Sequence, residues 1–347
     1  MKVPPIIDVV ELGFPWEGLD PFIFTVHHVD HYPRGNDALG PDTSLLGRNL
    51  GADFSYRQGW SMYHGVAVPG FPQHPHRGFE TVTVVQRGYV DHSDSLGATA
   101  RYGQGDVQWL TTGSGIMHSE MFPLISLDHP NPLELFQIWL NLPPESKMVP
   151  AHFGMLWSET IPTLSPAPGV SVDVIAGAMD GTEAPPPPPD SWASRPESDL
   201  AIWTIRLDPG AVWDLPSATE GANRMLYCHA GDDVRVAGTR GEAKFGFRLD
   251  AAETVTLENQ GEPARFLLLQ GRPIGAPVFQ MGPFVMNTPE ELRQAVEDYH
   301  RTRFGGWPWD RSDPVHARTE GRFAIHADGR IEHRDRHATR SLGPHSL

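Results

Sequence analysis

The chain has 347 residues, of which 39% are hydrophobic and 20% are charged, and these values are typical of a folded globular protein with two domains. Its formal net charge of −16 argues against direct nucleic-acid binding, because contacts with phosphates require a concentrated basic surface. No apolar run is long enough to cross a membrane and no signal peptide is evident, so the sequence predicts a cytoplasmic protein. Cys228 is the only cysteine, which excludes an intrachain disulfide, and its apolar neighbours predict a buried thiol.

Glycine and proline interrupt the chain throughout. The 35 Gly and 34 Pro residues favour short strands joined by turns over long helices. One series of short apolar or alternating segments lies at 22–28, 79–85, 106–111 and 133–142. A second series lies at 170–176, 200–207, 223–229, 234–237, 243–249, 254–257 and 266–270. This pattern predicts an all-β protein built from two similar units in tandem.

A proline-rich segment lies inside the second series. Residues 177–198 contain an unbroken proline run at 185–189, which cannot supply the backbone N–H groups of a sheet. We expect a stiff surface loop in the polyproline II conformation. A docking site for a protein partner is the alternative for this segment.

The C-terminal region carries one helix signal, at 289–303, and one hairpin signal. Thr288 is suited to cap the helix, and Glu291 completes a capping box with it. An apolar stripe and a closing glycine pair follow, formed by Leu292, Ala295, Val296, Tyr299, Gly305 and Gly306. Further on, the Asp328-Gly329 pair favours a type I′ turn within a hairpin at 323–333.

Four residues have the spacing of a metal site. His74 and His76 are two residues apart, and His118 and Glu120 repeat that spacing, so each pair should project to one face of an extended strand. Three imidazoles and one carboxylate can bind Fe(II), Mn(II), Ni(II), Cu(II) or Zn(II) and leave up to two octahedral positions open for dioxygen or substrate. A closed tetrahedral zinc site and a set of hydrogen-bonded core histidines are the alternatives.

The segments around these residues resemble the pirin family of the cupin superfamily. The matching motifs are HPHRGFETVT at 74–83, DHSDSLG at 91–97, GDVQW at 105–109, GSGIMHSEM at 113–121 and GPFVMNTPEELRQAVEDY at 282–299. The resemblance implies a bicupin, with two tandem antiparallel β-barrels of jelly-roll type and a C-terminal α-helix. It also implies one metal ion held by His74, His76, His118 and Glu120. Fe(II) is the expected ion, with Ni, Cu, Mn, Co and Zn as alternatives.

Three regions follow from the strand series and the resemblance. Residues 1–155 are expected to form the metal-binding N-terminal cupin domain. Residues 156–306 are expected to form a metal-free C-terminal cupin domain, because they contain no HxH pair and His229 stands alone. Residues 307–347 are expected to form a polar tail that carries the hairpin.

Several other residues are expected to contact the metal ligands or to line the pocket, namely Glu80, His92, Gln108, Trp109, Gln137 and Trp139. Glu80 stands where many cupins place a carboxylate ligand. Strand alternation favours a hydrogen bond in which Glu80 accepts from a ligating histidine, with metal ligation as the alternative. Ordinary packing or surface roles are expected of His27, His28 and His31, because adjacent side chains of a strand point to opposite faces.

The resemblance also suggests a function. Pirin-like proteins are associated with quercetin 2,3-dioxygenase activity, which implies a flavonol-type phenolic substrate, O2, ring cleavage and release of carbon monoxide. Glu120 would then be a metal ligand and the base that takes the substrate's hydroxyl proton. The alternative is a non-enzymatic, iron- and redox-responsive protein that binds and regulates partner proteins. Both functions require the same four ligands, so the sequence does not separate them.

Overall fold

The computed structural model describes residues 5–335, which are mainly β-strands. The strands of the first half are β1 (Ile6–Glu11), β2 (Trp16–Glu17), β3 (Phe22–Tyr32), β4 (Gly70–His76), β5 (Phe79–Arg87), β6 (Tyr89–Asp94), β7 (Thr99–Gly103), β8 (Val107–Thr111), β9 (Ile116–Met121), β10 (Asn131–Asn141), β11 (His152–Leu156) and β12 (Thr163–Leu164). Those of the second half are β13 (Val170–Ala176), β14 (Ala178–Met179), β15 (Thr182–Glu183), β16 (Ala201–Leu207), β17 (Val212–Leu215), β18 (Asn223–Ala230), β19 (Val234–Val236), β20 (Thr239–Gly241), β21 (Phe245–Leu249), β22 (Val255–Asn259), β23 (Ala264–Gly271), β24 (Phe279–Met281), β25 (Phe284–Met286), β26 (Phe323–Ile325) and β27 (Ile331–His333). The α-helix of the described residues is α1 (Pro289–Thr302), and short 3-10 helices lie at Arg57–Gly59, Pro144–Ser146, Trp192–Ser194, Pro196–Ser198 and Arg303–Gly305.

Two antiparallel barrels contain most of these strands. In the first barrel, one sheet has the order β11-β8-β5-β10-β3-β2 and the other has the order β27-β26-β7-β6-β9-β4. In the second barrel, the sheet β1-β21-β18-β23-β16-β13-β12 packs on the sheet β17-β22-β19-β20 around an apolar core. The predicted all-β bicupin with a C-terminal α-helix is therefore confirmed.

Strands from both ends of the described chain are exchanged between the barrels. Strand β1 lies far from the second barrel in sequence, yet it pairs with β21 of that barrel. Strands β26 and β27 lie in the region expected to be a polar tail, but β26 pairs with β7 and so extends a sheet of the first barrel. Five residues, 326–330, separate the two strands of this hairpin, and of the Asp328-Gly329 pair only Gly329 has a positive φ, so the expected type I′ turn is not formed.

A third apolar core joins the two barrels. Strands β5 and β8 of the first barrel contribute Val82, Val84 and Trp109, which are fully buried. The facing strands of the second barrel contribute Tyr227 and Leu267. This alternation leaves the other face of β5 for the interior of the first barrel, where the metal site is predicted. The expected burial of Cys228 is confirmed, and burial raises the pKa of its thiol to about 12.

The proline-rich segment is anchored on the first barrel. It begins as the short hairpin β14–β15, and Pro188 and Ser191 are buried after it. The hydroxyl of Ser191 donates a hydrogen bond of 2.5 Å to Oε2 of Glu80. The segment therefore packs on the first barrel instead of extending freely from the surface.

Helix α1 begins as the sequence predicts and ends slightly earlier. The hydroxyl of Thr288 accepts a hydrogen bond from the N–H of Glu291, and the apolar stripe packs on the hairpin β24–β25. The helix ends at Thr302 because Arg303 adopts a left-handed conformation with φ of 51°, before the glycine pair is reached. No helix among residues 5–335 has the length and apolar character needed to span a membrane.

Candidate metal centre

The four predicted ligands lie on two hydrogen-bonded neighbouring strands of the first barrel. His74 and His76 are on β4, and His118 and Glu120 are on β9. His74 is directly opposite His118 in the antiparallel register, and the register shifts between Phe71 and His74. Such a bulge turns side chains locally, and here both histidines of β4 face the barrel interior. The three histidines thus form a single cluster.

The three imidazoles form a compact group that could hold a metal ion. Their ligand atoms all lie within 4.8 Å of one another, and Nε2 of His74 is 3.0 Å from Nε2 of His118. That separation equals the edge of an octahedron, about 3.0 Å, whose metal–nitrogen bonds are about 2.1 Å long. The geometry therefore fits an ion at the centre without rearrangement of the two strands.

The outer ring nitrogens of two histidines face carbonyl oxygens. Nδ1 of His74 is 2.9 Å from the carbonyl of Pro72, and Nδ1 of His76 is 3.4 Å from the carbonyl of Pro283. An Nδ1–H that donates to a carbonyl leaves the Nε2 lone pair directed into the cluster. Burial lowers the pKa of His74 to about 4 and lowers the pKa values of His76 and His118 well below the ordinary range. All three rings are therefore neutral at pH 7, the form that binds metals.

Glu120 lies beside the three histidines, outside the tight group. Its Oε2 is 4.0 Å from Nε2 of His118 and accepts a hydrogen bond of 3.0 Å from Nε2 of Gln137. Its Oε1 accepts a hydrogen bond of 3.0 Å from the hydroxyl of Thr83. Burial raises the pKa of the Glu120 carboxyl, and the hydrogen bonds from Thr83 and Gln137 oppose that effect. The carboxylate is thus fixed next to the cluster by two side chains of the barrel interior.

Two of the other predicted residues also lie in the barrel interior. His92 is directly opposite Glu120 in the register of β6 and β9, and its ring centroid is 5.5 Å from that of His118. Its Nε2 lies 3.1 Å from Oδ2 of Asp94. Gln108 is fully buried on β8 of the opposite sheet and pairs in register with Thr83, whose hydroxyl contacts Glu120. His92 therefore contacts the cluster directly, and Gln108 lies next to a residue that positions Glu120.

Two further predicted residues do not lie at the centre. Glu80 and Trp109 point to the opposite face of their strands, toward the second barrel. Oε1 of Glu80 accepts a hydrogen bond of 2.6 Å from the hydroxyl of Thr111, and Oε2 accepts one from Ser191. The expectation that Glu80 touches a ligating histidine is wrong. The chain turns between β4 and β5, so the alternation of side chains along β4 does not continue into β5. Burial raises the pKa of Glu80 to about 7.

An aromatic pocket opens onto the cluster. It has a volume of about 330 Å³, and its polar end is formed by His74, His76, Glu120, Thr83 and Gln137. Its walls are mostly aromatic, formed by Phe14, Phe24, Phe54, Phe71, Phe122 and Trp139. Trp139 is held by ring contacts with Phe24 and Phe79, at centroid distances of 4.4 and 3.9 Å. The pocket is therefore suited to a flat, largely apolar ligand with a few polar atoms.

A segment near the C-terminus completes the pocket rim. Gly282 and Pro283 line it, and the N–H of Arg77 donates to the carbonyl of Pro283. The guanidinium of Arg77 also forms an ion pair of 2.9 Å with Asp298 of α1. The motif at 282–299 marked this segment as important, but the spacing of its residues did not indicate contact with the metal ligands.

A three-histidine cluster with a neighbouring carboxylate, inside the first of two cupin barrels, defines a bicupin with a candidate mononuclear metal centre. The pirin family model matches residues 48–140, and the model of the pirin C-terminal cupin domain matches residues 202–305. The chain belongs to the pirin family. It is 40% identical to a pirin-like protein of Caulobacter vibrioides, over 68% of this chain and 80% of that protein. It is 37% identical to pirin of Homo sapiens, over 70% of this chain and 80% of that protein.

A solved structure is similar over nearly the whole chain. Quercetin 2,3-dioxygenase from Acinetobacter baumannii aligns with a TM-score of 0.67 and 26% sequence identity. The alignment covers 87% of this chain and 98% of that protein. The two-barrel architecture is thus shared in full.

Proposed function

We propose that the protein is a metal-dependent dioxygenase that opens the central ring of flavonol-type phenolics such as quercetin and releases carbon monoxide. The observation that carries the proposal is the aromatic pocket whose polar end is formed by His74, His76 and Glu120. The likeness to a protein named quercetin 2,3-dioxygenase gives independent support. The reaction consumes one O2 per flavonol, and both oxygen atoms enter the ring-opened product.

In this proposal one divalent metal ion is held by His74, His76, His118 and Glu120. Fe(II) is our choice, because neutral imidazoles with one carboxylate and open positions suit non-haem iron. When bound, the metal would supply a Lewis acid that polarises the adjacent hydroxyl and carbonyl oxygens of a flavonol. The neutral state of the three rings and the 3.0 Å separation of two ligand nitrogens support this assignment.

Glu120 is proposed to take the proton of the substrate's hydroxyl group. Its carboxylate lies at the polar end of the pocket, and burial raises its pKa, which makes it a stronger base than an exposed carboxylate. Thr83 and Gln137 hold one oxygen each. They therefore keep the carboxylate oriented as it accepts the proton.

The aromatic walls are proposed to orient the ring system. Trp139 lies 5.4 Å from His76 between ring centroids, so a flat ligand that stacks on it reaches the cluster edge-on. Phe14 and Phe54 are 65% and 50% exposed and stand at the pocket mouth. Ordering of these two rings over a bound ligand would exclude water from the reacting atoms.

The test measures carbon monoxide and ring-opened product from anaerobically Fe(II)-loaded protein that is given quercetin and O2. We expect one carbon monoxide per quercetin consumed, and loss of at least about 100-fold in rate for Glu120→Ala, because ligand and base are removed together. Glu220→Gln, an exposed carboxylate of the second barrel, is the matched control. Equal carbon monoxide from wild type and Glu120→Ala would reject the proposal.

A second candidate function is an iron- and redox-responsive binding protein. It is favoured by a series of contacts between the cluster and the surface helix. His76 faces the carbonyl of Pro283, and Arg77 forms an ion pair with Asp298 of α1. A change of one charge at the metal would alter the field at these contacts. Helix α1 would then be the element that a partner protein senses.

Hydrogen exchange of residues 289–302 in the Fe(II) and Fe(III) forms tests this candidate. We expect a difference between the two forms, and loss of that difference in Asp298→Asn. Identical exchange in both forms, together with identical captured partners for oxidised, reduced and metal-free protein, would reject it.

A further inference from the structure

We propose that His27, Glu134 and His229 form a second divalent-metal site, between the two barrels. His27 and Glu134 lie on β3 and β10 of the first barrel, and His229 lies on β18 of the second. Their ligand atoms all lie within 4.8 Å of one another, as do those of the three-histidine cluster. The sequence placed His229 alone and gave His27 an ordinary packing role. The fold brings them together only because the barrels pack against each other.

Two distances within this group are those of weak hydrogen bonds, and they also suit coordination to one ion. Oε1 of Glu134 is 3.4 Å from Nε2 of His27 and 3.5 Å from Nδ1 of His229. Both distances exceed the roughly 2.9 Å of a strong hydrogen bond. They match the edge of a tetrahedron, about 3.4 Å, whose metal–ligand bonds are about 2.1 Å long. One ion could thus contact Oε1 of Glu134 together with either imidazole nitrogen, and rotation of a histidine ring would bring in the third ligand.

His229 provides the second, independent observation. Its side chain is 5% exposed, and the 3.5 Å contact of its Nδ1 with Oε1 of Glu134 is too long to satisfy that nitrogen. A buried ring nitrogen without a partner is unfavourable, and a bound cation would satisfy it. Burial lowers the pKa of His229 to about 4, so the ring is neutral at pH 7 and can offer a lone pair.

The backbone turns two of these side chains toward the interface. The register of β10 against β5 shifts at Glu134, and the register of β18 against β23 shifts between Cys228 and Ala230, that is, at His229. Bulges of this kind redirect a side chain and are common beside functional sites. Two such bulges meet here from opposite barrels.

One side of the three residues is packed against apolar rings, and the other side is open to a cavity. His27 packs against Trp16 and Phe136, with ring centroids 5.1 and 4.6 Å away, so one side is apolar. On the other side a cavity of about 290 Å³ reaches Glu134 and His229. Water or a small anion can therefore supply a fourth ligand to a tetrahedral ion.

Arg265 is the competing cation. Its Nη1 lies 3.4 Å from Oε2 of Glu134, and its side chain is 38% exposed, so it is free to swing into solvent. The arginine pairs with Oε2 and leaves Oε1 to the two imidazoles. A metal at this site would link the barrels and hold their relative orientation.

The test is a Co(II) titration of the metal-free full-length chain, followed by optical spectra and by metal analysis after gel filtration. We expect two equivalents in wild type and in the control His129→Asn, whose side chain is exposed. His229→Asn and His27→Gln should each bind the second equivalent at least tenfold more weakly. Zn(II) should raise the Tm of wild type more than that of either variant.

His118→Asn separates this site from the proposed catalytic centre. If the inter-barrel site exists, this variant still binds one equivalent, and adding His229→Asn removes it. If wild type and His229→Asn bind the same number of ions with the same affinity, the inter-barrel site is rejected while the first centre stands. If His118→Asn binds no Co(II), the inter-barrel site is likewise rejected.

Arg265→Gln distinguishes a metal site from a network of hydrogen bonds. Removing the competing charge should tighten Co(II) binding at this site by about threefold or more. A network without a metal role predicts unchanged Co(II) affinity, and that outcome would reject the proposal.

Discussion

Nε2 of His74 lies 3.0 Å from Nε2 of His118 across two hydrogen-bonded strands, and both rings are neutral because burial lowers their pKa values. Since Nδ1 of His74 faces the carbonyl of Pro72, the Nε2 of His74 is the acceptor in this contact. When no metal is bound, the Nε2–H of His118 can donate a hydrogen bond to Nε2 of His74. The same two atoms can contact one ion when a metal replaces that proton.

Replacement of His118 should therefore abolish metal binding at the first centre without unfolding the barrel. His118→Asn removes one ligand and keeps a small polar side chain in the cavity, and we expect Fe(II) affinity to fall by at least about 100-fold. Metal analysis after anaerobic loading and equilibrium dialysis measures this change. His129→Asn should behave like wild type, and an unchanged affinity in His118→Asn would place the ion elsewhere.

The low pKa of His74 predicts how metal binding depends on pH. Protons compete with a metal only below the pKa of the ligand, and His74 has a pKa of about 4 in the metal-free protein. In Glu120→Gln, which lacks the carboxyl of raised pKa, affinity for Zn(II) should thus vary little between pH 8 and about pH 5 and should fall at lower pH. Exposed histidines would lose affinity already below about pH 6.5. Titrations at fixed ionic strength distinguish the two profiles.

Thr83 is expected to be essential for the position of Glu120. Its hydroxyl lies 3.0 Å from Oε1 of Glu120 and 2.5 Å from Oε1 of Gln137. Thr83→Val keeps the shape and removes the hydroxyl, and we expect a loss of about 10- to 100-fold in metal affinity or turnover. Thr83→Ser retains the hydroxyl and should retain most of the activity. Equal losses in both variants would indicate packing as the cause.

Much of the fold and of the cluster followed from the sequence for simple physical reasons. The strand series, the helix cap and the HxH and HxE spacings are local patterns, and local patterns specify which residues share a face. These spacings therefore predict a group formed by His74, His76 and His118 without any knowledge of how the strands pair. Glu120 was predicted with them, and it lies next to the group with its own hydrogen bonds.

The features that the sequence did not predict depend on contacts between distant segments. Glu80 was assigned to the wrong face because the turn after β4 changes the alternation, and that turn leaves no periodic signal. The meeting of His27 with His229 requires the packing of two barrels, which no single segment encodes. The pairing of β26 with β7 likewise depends on an open sheet edge more than 200 residues earlier in the chain.

Glu80 is expected to make stability depend on pH. Its folded pKa is raised from 4.5 to about 7, so its contribution to stability is fully present below about pH 4.5 and is lost as the pH rises through 7. Glu80→Gln removes this loss. Relative to wild type, the variant should gain up to about 3 kcal/mol between pH 4.5 and pH 8, since one pKa unit corresponds to about 1.4 kcal/mol.

Urea unfolding of both proteins across this pH range measures the difference. Glu220→Gln, which replaces an exposed carboxylate, should show no comparable trend. A constant difference between Glu80→Gln and wild type would mean that Glu80 ionises as freely in the folded chain as in the unfolded chain.

Removal of the C-terminal hairpin should destabilise the first barrel and leave the metal ligands in place. A chain that ends at Gly306 loses β26, which covers the edge of β7, and loses the hydrogen bond of 2.7 Å from Nε1 of Trp157 to Glu332. It also uncovers the buried ion pair between Arg101 and Asp91, since Arg101 donates to carbonyl oxygens of residues 316, 317 and 320. We expect the Tm to fall by at least about 5 °C, corresponding to roughly 2 kcal/mol, with one metal ion still bound at the three-histidine cluster. Ile331→Ala changes a residue of the same hairpin that is 56% exposed, and this control should leave the Tm nearly unchanged. An unaltered Tm in the truncated chain would mean that the hairpin contributes nothing to the stability of the barrel.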